Sequence, residues 1–257
     1  LIYRLGKLPK VTDERTLQLA AYLPAAATLP APPAAVDYSA AVSAWGMMGN
    51  DRVGDCALAG MGHADLLWAA NAERRRLRIT TAMVIAAYAK VTGYVPGEES
   101  TDRGTSLLAA LRFWGKQGIA AQTIRAFVEV DPRDTENVRR TIDWFGCAYV
   151  GVELPNAVLP TSPTSLPSWT CSPDGSPAHQ PNPHNGHCVI YCGYNATGPV
   201  AVTWGTTVQC SWAFHDAYCD ELYALLAPSW LKTGWLAQIN PLFDAATLTA
   251  DLQAIAR

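Results

Sequence analysis

The order of the structural signals along this chain constrains its fold more than any single residue does: helical patterns come first and short strands follow. Cys56, Ala59, Gly60, His63, Leu66, Leu67 and Ala70 recur at helical spacing, so a helix is expected over 55–76 with Asp55 as its N-cap. Further helices are expected over 80–92, closed by Gly93, over 105–117, closed by Gly118, and over 135–145. From Cys147 the pattern changes to short runs rich in β-branched and aromatic residues. Strands are expected at 148–154, 187–194, 200–204 and 210–214, with a long Pro/Ser/Thr/Asn-rich loop over 160–185. Helices are expected to return at 216–226 and 245–256. Helices followed by strands argue for an α+β fold of two lobes rather than an alternating βαβ chain.

The expected organisation is an extended Ala/Pro-rich arm over 1–36, a helical lobe over about 37–146 and a β lobe over about 147–257. The arm reads as either a tether or a strap lying on the folded body. In the 257 residues, 49% hydrophobic content supplies a sizeable core and excludes a disordered or collagen-like chain. Charged residues are 16% and the net charge is −3, which argues against a nucleic-acid or anionic-membrane partner. The low charge also fits a surface that sits in an assembly. No apolar run is long enough for a transmembrane helix. The first residue is Leu1 rather than Met, so a removed leader stays open. Seven scattered cysteines, an odd number, read as buried thiols in a reducing compartment.

The chemistry concentrates around Cys56. The run Asn50-Asp51-Arg52-Val53-Gly54-Asp55-Cys56 places a cysteine on the first turn of a helix, where free N–H groups and the helix dipole favour a thiolate. Asp55 works against that charge unless its oxygens are spent on capping. His187, at the loop edge of the expected strand, supplies the base that a nucleophilic cysteine draws from elsewhere in the fold. Val200-Ala201-Val202-Thr203-Trp204-Gly205 is an apolar strand ending in Trp-Gly. His63 lies about 10.5 Å along the helix from Cys56 and reads as a buried structural histidine. His184, His187, Cys188 and Cys192 fit no compact zinc spacing, so no metal is expected. His179 and His215 read as solvated loop residues, the Glu98–Asp102 loop as a solvated acidic run, and Trp169 as the anchor of the long loop.

On these residues the chain resembles the papain-like cysteine peptidases. That family carries an amide six positions before its nucleophile, a position held here by Asn50, and a Gly two before it, held here by Gly54. The family's His-Ala-Val-x-x-x-Gly-Tyr strand is matched by His187-Cys188-Val189 through Gly193-Tyr194, and its Asn-Ser-Trp-Gly in half by Trp204-Gly205. The run Ala35-Val36-Asp37-Tyr38 resembles the family's mature start, and Gly104–Ile119 one of its helices. The segment Gly49–Cys56 is also similar to a Gly-Asn-Asp-x-x-Gly-Asp-Cys motif of uncharacterised phage and bacterial proteins. The resemblance implies a papain-like two-lobed fold and a thiol hydrolase that cleaves peptide or amide bonds without a cofactor.

It further implies Cys56 as nucleophile, His187 as base and Asn50 as an oxyanion donor, with Gly54, Asp55, Trp204 and Gly205 lining the site. Trp204 would cover the His187 ring. The family's histidine-orienting asparagine falls at Val202, which has no polar atom; Thr203, Asp216 or a backbone carbonyl are the alternatives. Strand alternation turns Thr203 away from the face that Val202 and Trp204 would share. The alternative function is a catalytically weak or inactive papain-like scaffold, a structural or binding component of a phage particle or other assembly, contacting partners through the arm. A virion-associated or cytoplasmic location is expected over a secreted one.

Overall fold

The computed structural model describes residues 3–24, 29–162, 166–231 and 242–255. Among these residues seven antiparallel strands form one sheet: β1 (Val36–Asp37), β2 (Ala126–Glu129), β3 (Ala148–Glu153), β4 (Gly186–Tyr194), β5 (Pro199–Thr203), β6 (Thr206–Gln209) and β7 (Cys219–Leu226). The order across the sheet is β2-β7-β3-β4-β5-β6, with β1 added to β4. The sheet divides the hydrophobic core in two. On one face α1 (Cys56–Asn71), α2 (Thr81–Thr92) and α3 (Leu107–Lys116) pack against Cys188, Ile190, Cys192 and Val202. On the other, α4 (Thr135–Phe145) packs against Val150, Val152, Val189 and Tyr191. The range 37–146 thus also contributes a strand, β2, to the edge of the sheet and a helix, α4, to its far face.

Local chemistry sets the helix ends. Thr80 accepts from the Met83 N–H at 3.3 Å to start α2, which stops at Gly93 in the left-handed region (φ +78°). Ser106 accepts from the Ala109 N–H to start α3, and Asp134 from the Asn137 N–H to start α4. Helix α1 is buried nearly all round, as befits a helix set between lobes, and closes at Asn71, ahead of the Arg74–Arg76 cluster.

Two sequence expectations fail at the end of the sheet. The strand expected over 210–214 is the start of a helix, α5 (Trp212–Tyr218), capped by Ser211 Oγ, which accepts from the Phe214 N–H at 3.0 Å. The helix expected over 216–226 is β7, a strand between β2 and β3. Its segment Leu222-Tyr223-Ala224-Leu225-Leu226 is buried on both faces, so the alternation that marks a strand is absent. The chain then forms α6 (Pro228–Leu231) and α7 (Ala245–Ile255); the last residue of the expected 245–256 helix lies outside the described residues. The arm is a strap: Tyr3, Leu19 and Tyr22 are buried in the core. Among the described residues no helix is long and apolar enough to cross a membrane.

Candidate active site

Cys56 opens α1 and is 1% exposed. Asp55 holds the N-cap position, but its side chain caps nothing. Its carboxyl is buried instead, and desolvation pushes its pKa well up. The loop before the helix is held from outside by Asp102, which accepts the Gly54 N–H at 3.1 and 3.0 Å and the Tyr88 hydroxyl at 2.7 Å. Tyr88 Oη in turn accepts the Gly104 N–H at 2.8 Å. Asp102 thus corrects the reading of Glu98–Asp102 as a solvated run. The composition of that run gave no sign of it, since the partner N–H lies 48 residues away.

His187 begins β4 and is fully buried. Its Nε2 lies 2.6 Å from Thr203 Oγ1, while its Nδ1 has no hydrogen-bond partner among the described residues. The side chain that holds the imidazole is thus Thr203, which alternation turns away from the face expected of Val202 and Trp204. The reason is the turn that follows: Trp204 (φ +44°) and Gly205 (φ +77°) both sit in the left-handed region of a tight β5–β6 hairpin. Trp204 leaves the strand there and does not share a face with Val202, which packs into the helical-lobe core with Cys56 and Ile190. Trp204 stacks on the His187 ring (centroids 4.4 Å apart, 17° between planes), and Gly205 bridges to Gly46. Trp169 is fully buried, stacked on Phe214 and steeply inclined to the His187 and Trp204 rings (76° and 85°).

The amino-terminal arm crosses this site. Tyr3 stacks on the outer face of Trp204, extending the Trp204–His187 stack. The Arg4 N–H donates to the Asn50 carbonyl at 3.3 Å, and Asn50 Nδ2 donates back to the Arg4 carbonyl at 3.4 Å and to the Val53 carbonyl at 3.2 Å. The Thr105 N–H donates to the Gly6 carbonyl (2.8 Å), the Leu8 N–H to the Thr105 carbonyl (3.1 Å), and the Lys7 N–H to the Gly186 carbonyl (3.1 Å). Glycines make this passage narrow enough. A Cβ on Gly6 would fall 1.9 Å from the Gly54 carbonyl oxygen, and one on Gly186 would fall 2.2 Å from that of Lys7.

Electrostatics follow from the cover. Burial pushes the Cys56 thiol up to about 11, against the opposing pull of backbone groups of Cys188 and Gly6 and of the Lys7 cation. Burial likewise pushes the His187 imidazole down to about 3. Both groups are thus neutral at pH 7, thiol and imidazole rather than thiolate and imidazolium.

Of the other histidines, His63 hydrogen-bonds the Gly46 carbonyl at 3.0 Å and is depressed to about 4 by burial. His215, expected in solvent, is buried between the Pro132 carbonyl (2.7 Å) and the Tyr191 hydroxyl (3.3 Å). Its place on α5, misread as a strand end, accounts for the difference. Among the described residues no group of three or more His, Cys, Asp or Glu is placed to hold a metal.

A helical lobe packed on one face of an antiparallel sheet, with a cysteine at the helix start and a histidine at a strand start, is the arrangement of a papain-like fold. Solved structures of papain-like cysteine proteases share it. Xylellain, a cysteine protease from Xylella fastidiosa, superposes with a TM-score of 0.66 at 14% identity, covering 88% of this chain and 96% of xylellain. The digestive procathepsin L 3 of Tenebrio molitor larval midgut gives 0.56 at 13% identity, over 82% of this chain and 76% of that one. Procathepsin B S9 from Trypanosoma congolense gives 0.52 at 11% identity, over 87% and 86%. No protein-family model matches the chain, and no curated protein matches it in sequence.

Proposed function

We propose that this chain is a papain-like thiol hydrolase of peptide or amide bonds, kept latent by its own amino-terminal arm. The observation that carries the reading is the divided engagement of His187: Nε2 is held by Thr203 and Nδ1 is left free. A neutral imidazole that donates Nε2–H to a hydroxyl presents a lone pair at Nδ1, the form a base needs. In the reaction Nδ1 takes the Cys56 proton and the sulfur attacks the carbonyl carbon. The imidazolium then protonates the leaving amine, and water drawn through the same base hydrolyses the thioester. The Cys56 N–H and Asn50 Nδ2 are the oxyanion donors, a role that suits Asn50 because its amide already donates to a backbone carbonyl, that of Arg4. Trp204 shields the imidazole from water.

The arm accounts for the neutral thiol. While residues 3–8 fill the passage, water cannot solvate a thiolate and the nucleophile is off. Substituting Gly6→Ala in the full-length chain forces a methyl against the Gly54 carbonyl and lifts the strap. Returning Cys56 from about 11 to an ordinary thiol pKa of about 9 raises its thiolate fraction about 100-fold. Iodoacetamide labelling, mapped by mass spectrometry, should therefore quicken about 100-fold at Cys56 in Gly6→Ala, slow again when His187→Ala is added, and be matched by hydrolysis of a peptide library. Slow, unchanged labelling of Cys56 with no hydrolysis in Gly6→Ala would refute the proposal and leave a scaffold.

A further inference from the structure

Strand β3 carries a glycine, Gly151, between Val150 and Val152 in the centre of the sheet. Its φ is not in the left-handed region, so the missing Cβ provides space rather than backbone freedom. A Cβ there would fall 2.3 Å from Lys7 Cε and 2.6 Å from Glu221 Cγ. The space is a slot, and the arm fills it with Lys7. The lysine Nζ lies 2.6 Å from Asp220 Oδ2, 3.2 Å from Glu221 Oε1 and 3.3 Å from the Leu8 carbonyl. The Lys7 side chain is 1% exposed and that of Glu221 is 0% exposed, while Asp220 stands at the rim. The other oxygen of Glu221 accepts the Tyr223 hydroxyl at 2.8 Å.

The slot lies beside the nucleophile. Gly151 pairs with Glu221 on one side and with Cys188 on the other, and the Cys188 backbone meets the Cys56 thiol. Whatever displaces the arm from Cys56 also removes Lys7 from this slot. Two carboxylates, one of them fully buried, then lack their cation, an arrangement that is strongly unfavourable in a protein interior. A branched or aromatic side chain would not relieve it; a long unbranched stem ending in a positive charge would. We infer that the Gly151–Asp220–Glu221 slot is the selectivity pocket of this site, and that its substrates are peptides bearing a lysine-type cation close to the bond cleaved. This deepens the hydrolase reading and rests on it.

Two measurements separate the inference from that reading. The first is binding, in full-length chain carrying Gly6→Ala and Cys56→Ala, with no chemistry required. The probe is a fluorescein-labelled peptide of arm residues 3–10, Tyr-Arg-Leu-Gly-Lys-Leu-Pro-Lys, against the same peptide with norleucine at the first lysine. The lysine peptide should bind at least about tenfold more tightly, and Glu221→Gln should abolish the difference. If Glu221→Gln does not fold, Asp220→Asn at the more open rim makes the same comparison. Equal binding of the two peptides overturns the slot.

The second is hydrolysis by Gly6→Ala with Cys56 intact, using peptide amides with lysine, arginine, leucine or norleucine scanned through the positions around the cleaved bond. Lysine should raise kcat/KM at least about tenfold over norleucine at one position, and Glu221→Gln should remove that preference. Hydrolysis with no basic preference overturns the inference and makes the slot a latch for the arm alone. Lysine-selective binding with no hydrolysis of any peptide supports the slot and overturns the hydrolase reading instead.

Discussion

Cys56 and His187 share a degree of burial and a cause of neutrality, yet they are held by different means. The thiol sits at a helix start and meets backbone: Gly6 of the arm, Cys188 of β4 and its own first turn. The imidazole is gripped by side chains, with the Thr203 hydroxyl on one nitrogen and the Trp204 indole on one face. One contact of the thiol, the strap, is removable; the hydroxyl and indole on the imidazole are built into a hairpin. The difference teaches that geometry and charge state are controlled separately here. The Thr203 and Trp204 contacts to His187 are in place while residues 3–8 cover Cys56; on the hydrolase reading proposed above, only solvation of the thiol waits on the arm.

The largest test of that contrast uses acid. An unfolded imidazole titrates near 6.5, whereas the folded His187 does so at about 3. Between those values protons bind the unfolded chain preferentially, so stability falls as pH falls from 6.5. By pH 4 the His187 share of that loss is about 3 kcal/mol at most. Urea unfolding at pH 7 and pH 4 should therefore show a smaller acid loss in His187→Gln than in wild type. Parallel losses would mean that the ring is open to water.

Next comes the hydroxyl. Thr203→Val in the Gly6→Ala background removes a hydrogen bond to a group that becomes charged, worth about 1.5–3 kcal/mol. The expected loss is about 10- to 100-fold in kcat with KM little changed. A fall in KM alone would deny Thr203 its orienting part. The smallest effect separates Thr203 from its neighbour. Val202→Asn places an amide in the apolar core beside Ile190 and should cost about 1–3 kcal/mol of stability. It should bring no gain in rate. A gain would show that position 202 can reach the imidazole after all.

The sequence made the helical half legible because its boundaries are written in local chemistry. Thr80, Ser106 and Asp134 cap helices through bonds to N–H groups three residues on, and Gly93 and Gly146 end helices in the left-handed region. Position 187 was readable for similar reasons, as a histidine opening an apolar strand. The α+β class followed from the order of elements, and the papain-like fold from the resemblance carried by Asn50–Cys56, His187–Tyr194 and Trp204-Gly205. The rest depends on contacts distant in sequence. Strand β7 looks helical because Leu222–Leu226 has neighbours above, below and on both sides. Thr203, one of the alternatives for holding the histidine, is disfavoured by an alternation that assumes a continuing strand, and Trp204 and Gly205 end it. Lys7 looked like one charge in a Pro-containing arm. Only folding sets it against Gly151 and Glu221.

The covalent continuity of the strap has a quantitative consequence. Residues 3–8 are not a free segment, because the chain is pinned again by the Lys10–Glu129 and Asp13–Arg112 ion pairs and at Leu17, whose carbonyl accepts the Glu129 N–H at 2.8 Å. A short covalent connection of this kind presents its end at an effective concentration on the order of millimolar. A peptide at about 1 μM must therefore bind the cleft about a thousandfold more tightly than the arm segment does to occupy half the molecules. Severing the backbone between Leu8 and Leu17 would remove that advantage without altering a single contact in the passage. A proteolytic nick there, in a stretch the structure leaves largely exposed, would act as a dilution: the same segment, released, competes only at its bulk concentration.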